Sequence, residues 1–187
     1  GSEMCIRDSA KKALSESNGD FDNAVKYLRE KGLADSKKRA DKEANQGTIG
    51  DYIHFQQDRA VAGVLVELAC ETDFVAKSDE FKNVAKHVAM HIAALKPEFL
   101  DVEDVPSERI EEEKEIIKKQ SENEGKPADV ITKIVDGKIS SFYKDYVLNE
   151  QTFCNPEFYE GQVGTMIEEL SGKLGEKIYI KKFSRIE

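Results

Sequence analysis

The chain has 187 residues, which is enough for one ordinary domain or two small ones that fold without disulfides or metals. Charged residues make up 35% of it and apolar residues 39%, a balance that favours long solvated helices around a modest core. Its formal charge of −9 argues against broad nucleic-acid binding, which draws on cationic contacts to phosphate, and no apolar run approaches the roughly 20 residues that cross a membrane.

The amino-terminal part of the chain predicts a small helical module and a linker. Residues 8–32 read as two helices separated by the Asn18-Gly19-Asp20 turn, with Gly32 ending the second. Two such helices cannot bury their own apolar faces, so a third packing partner is expected. Residues 36–46 are polar and basic, as in a linker or an exposed helix. We therefore place a helical module at 1–35, a linker at 36–46 and a second domain at 47–187.

The second domain predicts an α+β fold, in which a small antiparallel sheet is packed by helices. Thr48–Phe55 alternates with the period of a strand. After a polar turn, the nearly continuous apolar run Val61–Ala69 is typical of a central strand that is covered on both faces, so the two form a hairpin. Lys177–Phe183 alternates again and predicts a third strand.

Helical periodicity fills the rest of this domain. Ser78 is placed to cap a helix that Pro97 stops. Ser107–Asn123 is a helix with a thin stripe of isoleucines, Pro127 opens another helix at its first position, and a last stripe runs over Val163–Leu174. The stripe of the Ser78 helix consists of Phe81, Val84, Ala85, Val88, Ile92 and Leu95.

Few residues suggest chemistry. His87 and His91 have the spacing of a helical metal pair, but no glutamate follows His87 as in the HExxH motif. His87, Met90 and Ala94, joined by Asn83, lie on a second, weakly polar helix face that packs either on a neighbouring element or on a partner protein. One further alternative is that the chain is a histidine metalloenzyme. The purified protein would then contain a stoichiometric amount of metal. Cys70 ends an apolar strand and reads as a core thiol.

The cysteines also bear on the compartment. Cys5, Cys70 and Cys154 are odd in number and widely spaced, which fits neither a disulfide framework nor a CxxC metal site and favours a reducing compartment. We expect no catalytic residue, cofactor or metal in this chain.

The most unusual segment is the connector Thr72-Asp73-Phe74-Val75, which lies between a buried strand and the Ser78 helix. Such connections are usually short and polar. Two interpretations stay open for Phe74: it is a core residue tucked under the sheet, or it is an apolar wedge presented to another protein, where an aromatic anchor can dominate the binding energy.

Around this connector the sequence resembles the translation elongation factor Ts family. One signature is Cys70-Glu71-Thr72-Asp73-Phe74-Val75-Ala76-Lys77, and the stretch from His87 to Pro97 is similar to a second. Lys11–Leu14, Asn18–Asp20 and Ala24–Arg29 are similar to the family's amino-terminal module, and Glu124–Pro127, Phe142-Tyr143 and Gln151–Phe153 add to the likeness. The motifs follow one another in the family's order, which makes the resemblance specific.

The resemblance implies a guanine-nucleotide exchange factor for elongation factor Tu, without catalytic chemistry of its own. In the family this segment docks on the nucleotide domain of elongation factor Tu and disturbs its Mg²⁺ region. Asp73 and Phe74 would then be the active pair, Thr72 and Val75 would shape the turn, and His87, Met90 and His91 would lie at or near the same interface. The expected location is the bacterial cytoplasm, or an organelle.

Two departures from the family pattern matter. The amino-terminal module of the family is a three-helix unit that resembles ubiquitin-associated domains, and residues 1–9 do not match its first helix, so we expect an incomplete module; the opening Gly1-Ser2 resembles a cloning remnant. The chain is also a short form, and short forms in the family are associated with homodimers.

An alternative from another functional class stays open. The chain is then a general interaction or adaptor module that binds through its ubiquitin-associated-like helices. It predicts binding through residues 10–32 and indifference to Phe74.

Overall fold

The computed structural model describes residues 10–37, 39 and 41–187. A helical segment at 10–16 (α1) opens the described chain. The helices that follow are α2 (Phe21–Lys37), α3 (Asp73–Ala76), α4 (Asp79–Leu95), α5 (Ser107–Asn123), α6 (Ala128–Tyr146) and α7 (Val163–Leu174). The strands are β1 (Gln46–Gln56), β2 (Arg59–Cys70) and β3 (Tyr179–Ile186). The α+β fold predicted from the sequence is thus confirmed. Within the described residues, no helix combines the length and apolarity needed to cross a bilayer.

The three strands form one antiparallel sheet in the order β1-β2-β3. Helix α4 packs on the face to which β2 directs Val64, Val66 and Leu68, all of them buried. The prediction that β2 is covered on both faces is wrong for its middle, because the side chain of Leu65 is 53% exposed on the opposite face. This open face also carries the exposed side chains of Ile49, Ile53 and Ile186.

The described residues form two apolar cores, and the larger one is built around helix α4. The hydroxyl of Ser78 caps it by accepting a hydrogen bond from the Phe81 N–H at 3.4 Å. The predicted stripe is buried except for Leu95, which is the last residue of the helix and is 43% exposed. The helix ends as predicted before Pro97, with Lys96 in the left-handed conformation at φ 53°.

Helices α5 and α6 pack together around a smaller core of Val105, Ile110, Ile117, Ile139, Phe142 and Val147. Helix α5 has the predicted bounds, but Ile116 of its predicted stripe is half exposed because α5 packs chiefly on α6 and buries a narrow face. Pro127 occupies the cap position of α6 instead of its first helical position.

Helix α2 packs on α7, the last helix of the chain. Asp20 caps α2 as expected, accepting from the Asn23 N–H at 2.8 Å. The prediction that Gly32 ends this helix is wrong, since α2 continues to Lys37. Gly32 instead allows a close approach to α7: a Cβ built on Gly172 would lie 2.6 Å from the Gly32 Cα. The proposed start at Asp8 and the missing first helix fall in residues 1–9, outside the described residues.

Candidate partner-binding site

The connector between β2 and α4 forms one short helical turn, α3. Thr72 precedes it in an extended conformation, and its hydroxyl accepts a hydrogen bond from the Val75 N–H at 3.3 Å. The Thr72 carbonyl accepts from the Ala76 N–H at 3.2 Å. Val75 and Ala76 are buried in the larger core. Because successive helical residues are turned by about 100°, burying these two directs Asp73 and Phe74 outward.

Phe74 is the most exposed large apolar side chain among the described residues, with 83% of its surface accessible. The interpretation of Phe74 as a core residue is therefore wrong. The core position at this connector is filled by Val75, the next residue, which is 6% exposed. The ring thus stands clear of its own molecule on a turn whose other side is anchored in the core.

Asp73 lies beside the exposed ring and pairs with a lysine on the same turn. The Lys77 Nζ donates to Asp73 Oδ2 at 2.6 Å. This hydrogen bond, with the attraction of the Lys77 charge, holds the pKa of Asp73 below its ordinary value. Both side chains are well exposed, so the pair offers a partner one carboxylate and one ammonium group next to an apolar ring.

Cys70 lies beneath this turn as the core thiol that the sequence predicted. It is fully buried, and its Sγ donates to the Thr72 carbonyl at 3.2 Å. Burial, reinforced by the nearby carboxylate of Glu176, raises the pKa of Cys70 to about 11. The thiol therefore stays protonated at neutral pH, which does not suit a nucleophile.

His91 belongs to the interior of the molecule and not to its surface. It is 0% exposed, and its Nδ1 accepts from the backbone N–H of Cys154 at 3.1 Å. Its Nε2, which then carries the proton, donates to Gln151 Oε1 at 3.0 Å. Both ring nitrogens are thus occupied, which contradicts a His87–His91 metal pair. Burial lowers the pKa of His91 from its ordinary value. The residue has no surface with which to contact a partner.

The other two α4 candidates remain accessible. His87 stacks on Phe158, with ring centroids 3.7 Å apart and planes 5° from parallel, and its Nδ1 lies 2.9 Å from the Asn83 carbonyl oxygen. Met90 is partly exposed one turn further on. The second helix face therefore packs in part on a neighbouring loop, one of the two outcomes left open by the sequence. The structure brings 72–75 together on one turn and places His87 and Met90 separately, along α4.

Sequence reasoning noted Gln151–Phe153 only as part of the family likeness and did not predict which residues hold these elements in place. Gln151 and Phe153 come from the segment after α6, and Phe153 stacks on His91 with centroids 5.2 Å apart. Glu176 binds Thr72 from 104 residues away. No local pattern marks these contacts, although the Gly175 that precedes Glu176 does mark the end of α7 in the left-handed conformation.

Comparison with known proteins decides the family. The family model described as Elongation factor TS matches residues 15–158. The protein named Elongation factor Ts from Carboxydothermus hydrogenoformans is 48% identical over 178 residues, covering 95% of this chain and 79% of the relative. Those from Caldanaerobacter subterraneus subsp. tengcongensis and Coprothermobacter proteolyticus are also 48% identical, covering 95% and 94% of this chain and 86% of each relative.

The chain belongs to the elongation factor Ts family. It is therefore a translation elongation factor, and the match covers both the amino-terminal helices and the α3 turn. In this family member the signature segment 72–75 is a turn that exposes residues 72–74 and buries Val75, whereas the second signature, which begins at His87, is a helix buried along one side.

Proposed function

We propose that this chain is a guanine-nucleotide exchange factor that binds elongation factor Tu in the bacterial cytoplasm and promotes release of its GDP. The observation that carries the proposal is the exposed ring of Phe74 on a turn anchored in the core. Family membership and the resemblance of segment 72–75 to the family signature name the partner. The chain has no catalytic chemistry of its own in this proposal.

The proposed contact is a rigid wedge. Phe74 inserts into the nucleotide domain of elongation factor Tu, and Asp73 next to it meets polar groups at the rim. Thr72 and Val75 hold the turn from below. The Mg²⁺ of the partner bridges phosphate oxygens and neutralises their charge, so a shift of the elements that hold the ion weakens nucleotide binding. His87 and Met90 add a second contact, with lower exposure than Phe74.

The energy for release comes from binding. Accelerating GDP release by roughly 10³- to 10⁵-fold requires about 4–7 kcal/mol less barrier. One aromatic anchor supplies only part of this, so the whole interface contributes. Because coupling between two ligands is reciprocal, nucleotide must weaken the complex of the two proteins by the same factor by which that complex weakens nucleotide. Rebinding of GTP then separates the proteins.

The direct test is release of fluorescent GDP from purified elongation factor Tu in the presence of excess unlabelled nucleotide. The full chain should raise the release rate in a saturable manner, and an equal concentration of an unrelated acidic protein should not. A release rate that does not respond to the chain would refute the proposal.

We further propose that two copies of the chain associate through the open sheet face. Ile49, Ile53, Leu65 and Ile186 form an apolar patch there, and a second copy of the same face offers a complementary surface. The mass of the free protein, measured by light scattering, should be twice that of one chain. Leu65→Lys should reduce it to the monomer mass, and a monomeric parent chain would refute this association.

One observation supports the second candidate function, that of an adaptor module. Phe21 at the start of α2 is 73% exposed. Leu14 of α1 and Val25 and Leu28 of α2 are partly exposed. Such a surface suits an adaptor that binds through residues 10–32. Deletion of 10–32 should abolish partner binding in that case and Phe74→Ala should not, which is the reverse of the ranking that the exchange-factor proposal gives.

A further inference from the structure

Glu176 lies between α7 and β3 and contacts the Thr72 turn from the opposite end of the chain. Its Oε2 accepts hydrogen bonds from the backbone N–H groups of Glu71 at 3.1 Å and of Thr72 at 3.0 Å. Its Oε1 accepts from the Thr72 hydroxyl at 2.5 Å. One carboxylate thus receives three hydrogen bonds from two consecutive residues. These two residues immediately precede α3, whose second residue is Phe74.

Glu176 is itself held in place. The buried Ser171 hydroxyl donates to the Glu176 carbonyl at 2.5 Å, and Gly175 turns the chain into position with a φ of 73°. A second contact runs in the opposite direction, because the N–H of Lys177 donates to Glu71 Oε1 at 2.6 Å. The hydrogen bond from this N–H is the main cause that lowers the pKa of Glu71. The two segments, 71–72 and 176–177, therefore clamp each other reciprocally.

The clamp fixes the direction in which α3 starts. A helix of four residues has little stability of its own, because the first turn costs more backbone entropy than its hydrogen bonds return. The Thr72 hydroxyl accepts from Val75 while it donates to Glu176, so its rotamer is set from both sides. Val75 anchors the carboxy-terminal side of the turn in the core, and Glu176 fixes its amino-terminal side.

We infer that Glu176 is a positioning residue for the proposed exchange activity, which holds Thr72 and thereby keeps Phe74 in the orientation that its partner binds. This inference rests on the proposed function. Glu176 need not touch the partner. Its contribution is that the turn is ordered before binding, so the partner does not have to order it.

The chemistry of the clamp explains why a carboxylate is needed. All three partners of the side chain are donors, and an ionised carboxylate offers only acceptors. In Glu176→Gln the negative charge is lost, so the hydrogen bonds from the two backbone N–H groups become weaker, neutral ones, and the Thr72 hydroxyl has to reverse its role and accept from the amide nitrogen. The variant keeps the size of the side chain, so a change in behaviour reports on the charge and the hydrogen bonds. Glu115→Gln on α5 is a matched control, since Glu115 is exposed and pairs with Lys119 on its own helix.

The first test measures the turn without a partner. The chain contains no tryptophan, so Phe74→Trp introduces a single fluorescent reporter at the wedge position. Adding Glu176→Gln should lower the fluorescence anisotropy of this tryptophan, and adding Glu115→Gln should leave it unchanged. Equal anisotropy in all three proteins would overturn the inference whether or not the chain is an exchange factor.

The second test separates positioning from stability in the GDP-release assay. If only a fraction of molecules holds the competent turn, the half-saturating concentration rises by the inverse of that fraction and the maximal rate stays the same. We expect about a tenfold rise for Glu176→Gln, on the scale of one charge-assisted hydrogen bond. A merely structural role would lower the melting temperature and leave both constants unchanged per folded molecule, and that result would overturn the inference.

A second pair of variants keeps the test decisive if Glu176→Gln folds poorly. Thr72→Val removes the hydroxyl that donates to Glu176 and should raise the half-saturating concentration, whereas Thr72→Ser retains this hydroxyl and should raise the concentration less. Equal values for both would overturn the inference. If Phe74→Ala releases GDP as fast as the parent, the proposed function fails, and the anisotropy measurement still decides the role of Glu176.

Discussion

Replacing Phe74 with alanine should separate binding from stability, because the ring hardly contributes to the stability of the free chain and is the main contact in the proposed complex. With 83% of its surface exposed, the side chain loses almost no burial on truncation. Exposed substitutions of this kind usually change the free energy of unfolding by less than about 0.5 kcal/mol. The same change at Phe81, seven residues further along and fully buried, should cost about 3–5 kcal/mol.

The effect on binding follows from the area that Phe74 would lose from water in a complex. Fully burying a phenylalanine side chain is worth about 1.5–3 kcal/mol, which corresponds to about 10- to 150-fold in affinity. If the proposed function holds, the rate of fluorescent GDP release from elongation factor Tu, measured over a range of concentrations of this chain, should therefore fall by at least tenfold at subsaturating concentrations. The maximal rate should also fall, because the wedge itself is missing. Thr72→Ala should have a smaller effect.

Two results would contradict this reasoning. The wedge proposal fails if Phe74→Ala stimulates GDP release as well as the parent chain. It also fails if Phe55→Ala, which truncates another exposed phenylalanine at the end of β1, reduces release equally, because the loss would then follow exposed aromatic surface in general. Urea unfolding of the three proteins supplies the control for folding.

Three further predictions concern the framework around the turn. Because the pKa of buried His91 is lowered, its contribution to the free energy of unfolding should be fully present above pH 6.5 and should decrease below that pH by at most about 1.4 kcal/mol per pH unit. Urea unfolding between pH 7.5 and 5 should show this decrease. His91→Leu should remove the pH dependence and lower the free energy of unfolding at every pH. Native alkylation at pH 8, followed by peptide mass spectrometry, should modify exposed Cys154 well before Cys70, and equal rates would show that the β2 end opens readily. Gly50→Ala should cost about 1–3 kcal/mol in urea unfolding because the added Cβ would clash with the Ala85 carbonyl, and an unchanged midpoint would refute the close packing of β1 on α4.

The sequence predicted the elements whose periodicity is decided by one packed face. Helix α4 follows from its apolar stripe, the cap at Ser78 and the stop at Pro97, and the hairpin follows from the change to a period of two. The prediction that every residue of an apolar stripe is buried was wrong for Leu95 of α4 and Ile116 of α5. Leu95 lies where α4 ends, and Ile116 lies beside the narrow face that α5 buries. Periodicity tells which side chains share a face, but the extent of the neighbour that covers this face is a property of the tertiary structure.

The glycine at position 32 illustrates a second limit. A glycine near the end of a helical pattern usually marks a left-handed cap, and this reading failed because Gly32 continues the helix and faces Gly172 across a helix crossing. The two uses of glycine, positive φ and the absence of a side chain, look the same in a sequence. Only the position of the second glycine, 140 residues away in the chain, distinguishes them.

The sequence limits the residue of the α3 turn that faces the core to two candidates but does not decide between them. Within one helical turn, either Phe74 or Val75 faces the core, and both are apolar. Val75 belongs to the same buried cluster as Cys70 and the core residues of β2 and α4, and its burial directs the larger ring outward. An exposed phenylalanine gains nothing from its own fold, so the turn that displays it must be ordered by other residues. Val75 from below and Glu176 from the side provide that order, which is why the contacts of this turn reach to the far end of the chain.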